Sequence, residues 1–241
     1  SAALNAGFEA ARGRVLIRCD DDLVPAPDYV AGHVARHSGE AWGVIGLYRN
    51  VYRPSAYARA YGRARDVRFR DDAYAMPADQ LWRLWAGNVS VTRESFDRVG
   101  EYDAAYRAYG WEDVDWGYRL AQLGMPVVLA PELETTHTGA APTAAVRVDK
   151  AFHSGAARET FIARHGAAMF GLDGSDAGLW ARLVGLVAKV FGRRRLILFG
   201  KFADTTADYL PRYIAEKMIS LLVEAASLAG RRRTADVTTE L

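Results

Sequence analysis

Three carboxylates fall within four positions at Glu112, Asp113 and Asp115, after Gly110 and between Trp111 and Trp116. The stretch then reads as an amphipathic helix. Val114, Tyr118 and Ala121 recur at i, i+4 and i+7 and predict its apolar face, while Glu112, Asp115 and Arg119 line another. Asp115 and Arg119 have the i,i+4 spacing of a favourable helical ion pair. Gly124 followed by Met125-Pro126 is a stop. The acids therefore sit where loop becomes helix, where free N–H groups and the helix dipole favour ionised carboxylates. One such acid is an ordinary N-cap. Three, with Gly-Trp ahead of them, exceed what capping needs and read as a site.

A second acid cluster, Asp20-Asp21-Asp22, directly follows the apolar run Val15-Leu16-Ile17-Arg18-Cys19. Asp20 and Asp22 are spaced i, i+2 at a turn and can converge on a hard cation such as Mg²⁺ or Mn²⁺, whose shell substrate phosphates often complete. The plainer alternative is a solvated cluster at a strand end, although adjacent carboxylates repel and need a cation nearby. His137 lies in a Thr-Gly-rich loop and is either structural or a ligand. His33 and His37 are spaced i, i+4, but no Glu follows the first, so a surface helix is expected rather than a zinc site. Cys19 is expected to be a buried strand residue. Trp111 and Trp116 offer either a flat apolar platform or core packing. No G-x-S-x-G elbow, Walker loop or G-x-G-x-x-G fingerprint is present.

The elements that would carry these residues alternate. A helix is expected over Ala2–Ala11, a strand over Val15–Cys19, and a helix capped by Asp28 that runs to about His37. Further strands are expected over Trp42–Leu47, Gly87–Val91 and Val127–Ala130, with helices over Arg93–Val99 and Asp149–His165. Helices and strands in alternation, with acids at a strand's carboxyl end, are the grammar of an α/β sheet whose ligands bind outside those ends. The basic and aromatic stretch Arg49 to Arg70 is expected to be a solvated helix with its aromatics inward, or else a loop that meets an anionic donor or acceptor. From Asp176 the character changes. Leu179, Leu183, Leu186, Val187 and Val190 form a stripe before Arg193-Arg194-Arg195, and a second helical stretch from Asp208 to Leu228 leads to Arg231-Arg232-Arg233.

The chain has 241 residues, 50% hydrophobic and 25% charged, an ordinary globular composition. Its net charge of +2 gives no reason to expect a nucleic-acid partner. Its single cysteine rules out an internal disulfide and points to a reducing compartment.

Four segments together carry a resemblance. Cys19-Asp20-Asp21-Asp22-Leu23-Val24-Pro25 resembles the DXD motif of GT-A fold glycosyltransferases of family 2. Gly87-Asn88-Val89-Ser90-Val91-Thr92-Arg93 resembles the strand before that family's acceptor site, and Gly100-Glu101-Tyr102-Asp103 its G-x-[FY]-D segment. Gly110 to Asp115, then Arg119-Leu120, is similar to its WED motif and to galactosyltransferase-type domains. Order and spacing agree over roughly residues 1 to 166.

The resemblance implies a GT-A (Rossmann-like) mixed sheet flanked by helices, and a metal-dependent inverting glycosyltransferase using Mn²⁺ or Mg²⁺. Asp20, Asp21, Asp22, Gly87 and Asn88 would meet the nucleotide-diphosphate sugar. Asp20, Asp22 and His137 would surround the metal, with Asp22 the direct ligand and Asp20 facing the ribose or a metal-bound water. Asp113 would be the general base. Gly110, Trp111 and Glu112 would shape the site for a glycan or lipid-linked acceptor. The family's first nucleotide-binding strand and turn have no counterpart before Asp20, so a piece of a longer protein is expected.

The domain expectation is a partial catalytic domain over 1–170, an amphipathic helical appendage over 171–233 and a disordered tail over 234–241. The stripes ending in arginines suggest peripheral contact at the inner face of the cell membrane for a cytoplasmic protein. They leave open a rival reading, a membrane-surface or partner-binding module with a vestigial site.

Overall fold

Strand β1 (Val15–Cys19) delivers the first acid cluster, and the chain around it decides what that cluster can face. The computed structural model describes residues 1–38, 42–106, 110–170 and 178–232. The chain divides into two units. The first comprises Ser1–Val51, Arg65–Ala105 and Glu112–Ala140, and the second Tyr52–Ala64, Tyr106–Trp111 and Ala141–Leu241.

In the first unit, α1 (Ala2–Ala10) precedes β1, and β2 (Leu23–Val24) and α2 (Tyr29–Arg36) follow it. Then come β3 (Gly43–Ile45), β4 (Tyr48–Asn50) and most of α3 (Arg63–Tyr74). The unit continues with β5 (Asn88–Thr92), α4 (Arg93–Val99), α5 (Glu112–Gln122), β6 (Val127–Leu129) and β7 (Thr135–His137). A four-stranded sheet has the order β1-β5-β3-β6, and a three-stranded one the order β2-β7-β4. Both are mixed: β5 runs antiparallel to β1 and β3, and β6 parallel to β3, while β7 runs antiparallel to β2 and parallel to β4. This is the mixed α/β architecture that the resemblance implied.

Strand β5 is paired on both sides and sends alternate residues to opposite faces. Val89 and Val91 enter an apolar core with Leu16, Ile45, Trp85, Trp116 and Leu120. Asn88 and Ser90 meet α2 instead, which corrects the expectation of a surface helix there: His33 and His37 are buried. The physical reason is a closed polar seam. Asn88 Nδ2 donates to the carbonyls of Leu47 (3.2 Å) and Leu133 (2.8 Å), so its Oδ1 is the acceptor facing Tyr29 and His33. His33 Nε2 therefore donates to Asn88 Oδ1, leaving Nδ1 to accept from Ser90 Oγ at 2.8 Å. His37 Nε2 then donates to Ser90 Oγ at 2.8 Å. Burial pushes the His33 imidazole down, which agrees with a neutral ring.

Helix α5 also turns differently from its expected face. Trp116 and Leu120 are fully buried, while Val114, Tyr118 and Ala121 are half-buried. Trp116 stacks on Trp85 at 4.9 Å and on Tyr102 at 5.5 Å, and its Nε1 donates to the Gly100 carbonyl at 2.8 Å. Of its two readings, core packing holds. Asp115 can be buried beside it because Arg119 pairs with it at 2.9 Å, as the spacing predicted. Cys19, expected to be buried, is exposed at the end of β1.

The second unit is helical: α6 (Ala144–His165), α7 (Leu179–Val190), α8 (Arg193–Thr206) and α9 (Arg212–Arg232) join a π-helical turn at Ala58–Gly62. Thr143 caps α6 through the Val146 N–H, and Asp204 of α8 accepts from the Ala144 and Ala145 N–H groups at 2.7 and 3.2 Å. Helices α6 and α9 meet through small residues. A Cβ on Gly155 would collide with the Ser227 backbone, and one on Gly230 with the Phe152 carbonyl. The apolar side of α9, with Ile219, Leu222 and Ala226, is buried, and Arg231 pairs with Glu159 at 2.7 Å, so α9 is a core helix rather than an interfacial one.

Helix α8 was not foreseen. Arg193–Arg195 open it instead of closing a stripe, because Leu196, Gly200 and Ala203 recur at i, i+4 and i+7 on its buried side. In α7, Val184 and Ala188 face the core, and Leu179, Leu183, Leu186 and Val190 are exposed. From the basic and aromatic stretch, Tyr57 and Tyr61 are buried, Arg59 pairs with Asp208 and Phe69 is exposed. Residues 171–177, Arg233 and the tail over 234–241 lie outside the described residues. No described helix is long and apolar enough to cross a membrane.

Candidate active site

The two acid clusters meet on one guanidinium. Arg18, on strand β1, donates from Nε and Nη2 to the two carboxylate oxygens of Asp20, at 2.8 and 3.2 Å. Its Nη1 donates to Asp113 Oδ1. Asp113 thus comes from the first turn of α5 to the carboxyl end of β1, across 95 positions of sequence. Burial pushes the Asp113 carboxyl up, and the Arg18 charge opposes that shift. The neighbouring Glu112 carboxyl is also raised, first by burial and then by the Asp113 charge. Its Oε2 is buried with no hydrogen-bond partner among the described residues. An orphaned acceptor of this kind calls for a polar ligand group.

Gly87 lets Asp20 sit where it does: its carbonyl accepts from the Asp20 N–H at 3.0 Å, and a Cβ at position 87 would strike the Asp20 carboxylate. Asn88, expected at the donor, is buried in the seam described above, with its amide committed to Leu47, Leu133, Tyr29 and His33. It supports the site through β5.

Asp22 and His137 form the other half of the site. They meet across the antiparallel pair β2–β7, with His137 Nε2 3.0 Å from Asp22 Oδ2. His137 Nδ1 lies 2.5 Å from Asn50 Oδ1, and the Asn50 Nδ2 donates to Asp66, a buried carboxylate. That chain fixes the imidazole. Asn50 presents oxygen, so Nδ1 carries a proton, and Nε2 is left to face a carboxylate oxygen. At that distance the two need a proton or a cation between them. The donor set, one carboxylate oxygen and one imidazole nitrogen, suits Mn²⁺ or Mg²⁺ with phosphate and water completing the shell. A Cβ on Gly139 would fill the same space, since it would strike Asp22 and come within 3.0 Å of His137 Nε2. The expected three-residue set is not assembled. Asp20 is held by Arg18, and no cluster of three or more His, Cys, Asp or Glu is drawn together among the described residues. Asp21 joins neither half.

The comparisons with known proteins fall on these same residues. Glycosyl transferase family 2 matches residues 1–100, and the N-terminal domain of galactosyltransferase matches residues 72–139. Residues 1–100 are thus similar to family 2 glycosyltransferases and residues 72–139 to galactosyltransferases, each over less than half of the chain. Strands β1, β2 and β5 lie in the first match, and α5 and β7 in the second. A validoxylamine A glucosyltransferase of Streptomyces hygroscopicus is 28% identical over 158 residues, covering 55% of this chain and 37% of the relative. An uncharacterized glycosyltransferase of Bacillus subtilis is 24% identical over 180 residues, covering 55% of this chain and 46% of the relative. The chain thus spans less than half the length of these curated relatives. A mannosyltransferase of Pyrobaculum calidifontis, solved in complex with GDP-Man and Mn²⁺, superposes with a TM-score of 0.53 at 20% identity, over 96% of this chain and 66% of its own. At that identity the likeness shows the fold, a GT-A-type one.

In the second unit, Gly110 and Trp111, expected at the acceptor, both have left-handed backbones, φ 88° and 74°. For a tryptophan this conformation is strained by about 1–2 kcal/mol. Surrounding contacts hold it: Trp111 Nε1 donates to Ser154 Oγ at 3.1 Å and the ring packs on Phe161 at 5.3 Å.

Sequence reasoning missed three residues. Arg18 carried a signal, since a lone cation inside an apolar strand just ahead of three acids demands a partner. Asn50 and Asp66 carried none, because their role exists only once β4 lies beside β7.

Proposed function

We propose that this domain transfers a sugar from a nucleotide-diphosphate sugar to a hydroxyl of a glycan or lipid-linked acceptor, with inversion at the anomeric carbon. The observation that carries the reading is the gathering of Asp113 and Asp20 on Arg18, which sets a half-buried carboxylate beside the strand end at which the resemblance implies the donor. A divalent cation at Asp22 and His137 would supply positive charge at the diphosphate leaving group. Asp113 takes the proton from the attacking hydroxyl, and its raised basicity suits that task. Glu112 offers its unpartnered Oε2 to the acceptor. Arg18 keeps Asp113 ionised and oriented until the acceptor arrives. Attack opposite the leaving group in one displacement, through an oxocarbenium-like state, inverts the centre.

The test is a panel of nucleotide-diphosphate sugars with Mn²⁺ or Mg²⁺ and with chelator, glucosyl and mannosyl donors first because two relatives carry those names. The expected result is cation-dependent nucleoside diphosphate release and a product of inverted anomeric configuration by NMR. A retained configuration overturns the base assignment. Undiminished turnover in chelator overturns the role of the cation.

A further inference from the structure

We propose that the exposed face of α7 and α8 docks on an anionic lipid bilayer. In α7, Leu179, Leu183, Leu186 and Val190 stand at i, i+4, i+7 and i+11, and Leu179 and Leu186 are 85% and 59% exposed. At 100° per residue these four side chains lie within about 60° of one another around the helix. They form a narrow ridge that no described part of the chain covers, while Val184 and Ala188 face the core. In α8, Leu198 and Phe202 form a second exposed pair at i, i+4, 62% and 61% exposed, opposite the buried Leu196, Gly200 and Ala203. Phe191 and Phe199 join the two helices by an edge-to-face ring contact at 5.0 Å.

The charge around these side chains selects the occupant. Between Leu179 and Thr206 there are six Lys and Arg residues and one acid, Asp204. That carboxylate is taken up by the α6 N-terminus, and Arg193 is taken up by Asp149. Arg182 and Lys189 remain exposed beside the α7 ridge, and Arg194, Arg195 and Lys201 beside the α8 pair. The whole chain carries only +2, so this face holds a local excess of positive charge. Leucine and phenylalanine flanked by exposed cations, on helices too short to span, is the pattern of a helix that lies in the headgroup region of an acidic membrane. The same surface would hold the domain where a lipid-linked substrate is found.

The full chain should co-sediment with vesicles of phosphatidylglycerol and phosphatidylcholine roughly ten times better than with phosphatidylcholine alone, and lose that preference at about 0.5 M NaCl. The double substitution L186E/F202E should reduce pelleting to background with unchanged circular dichroism and melting temperature, because both side chains are exposed. The readout involves no sugar transfer, so it stands or falls apart from the proposed reaction. Equal pelleting of the variant, or none by the unaltered chain, overturns the proposal. So does a dimer in sedimentation velocity that L186E/F202E dissolves, since a second copy would then be the occupant.

Discussion

Arg18 makes a specific demand on the pH behaviour of Asp113. Burial raises the Asp113 carboxyl and the guanidinium lowers it, so Arg18→Leu leaves the raising influence unopposed. The acidic limb of kcat/KM should move to higher pH in that variant, measured over a full pH profile, and an unmoved limb would separate Arg18 from the base. Asp113→Asn should lower turnover about 10²-fold or more with donor binding retained, checked by calorimetry beside kinetics. Glu112 has the opposite leverage on stability. Its folded pKa is raised above its unfolded value, so its stabilising contribution is complete below the ordinary glutamate pKa of about 4.3 and is lost as pH rises through the folded value. Glu112→Gln should therefore melt higher than the parent at neutral pH, with the difference vanishing in acid. At the Asp22–His137 pair, the proposed cation site, Asn50→Ala frees the His137 ring to turn, and Mn²⁺ affinity by calorimetry should fall by roughly 10–100-fold.

Elements whose own residues decide their form were legible. The strand Val15–Cys19 and the helix Arg93–Val99 were read to the residue, because apolar runs and a terminal glycine, Gly100 at φ 82°, are local signals. The short strands β2, β4 and β7 were not read. Each has two or three residues and exists through its partners, so no period could announce it. Helix α8 was hidden because its buried face, Leu196, Gly200 and Ala203, has one large apolar side chain, while Leu198 and Phe202 stand exposed on the other side and blur the pattern. Its Asp204 does for α6 what a local cap does elsewhere, from a distant helix. Asp204→Ala should destabilise the helical unit by about 1 kcal/mol, a loss of roughly 2–4 °C in melting temperature. Gly230→Val should cost about 1–3 kcal/mol by driving α9 off α6, seen in the same melt.

For the whole molecule, the donor and acceptor residues read from sequence divide between the two units: Asp20, Asp22, Glu112, Asp113 and His137 lie in the first, Gly110 and Trp111 in the second. Residue types alone located the acid clusters. Their partition was legible only in part, since Arg18 decides that Asp20 goes with Asp113 and leaves Asp22 with His137. The likeness to the mannosyltransferase fold extends over 96% of the chain, so it takes in the helical unit as well as the sheets. If the bound cation and diphosphate engage the folded site alone, Mn²⁺ with a nucleoside diphosphate at a hundred times its Kd should raise the melting temperature by about 5–10 °C. No shift with either component would argue against a preformed donor site.

The polar seam between α2 and β5 acts on folding as a parity check. Asn88 and Ser90 occupy even positions of the strand and Val89 and Val91 odd ones. A pairing error of one residue would exchange the two sets. The amide and hydroxyl would be thrust among Trp85 and Trp116, and two valines would be offered to Tyr29, His33 and His37. Each polar group left unmatched costs about 1–3 kcal/mol, so a shifted strand is rejected from both faces at once. Because β5 is the central template for β1 and β3, the correctness of that one strand is passed to the acids at the end of β1 before any ligand is present.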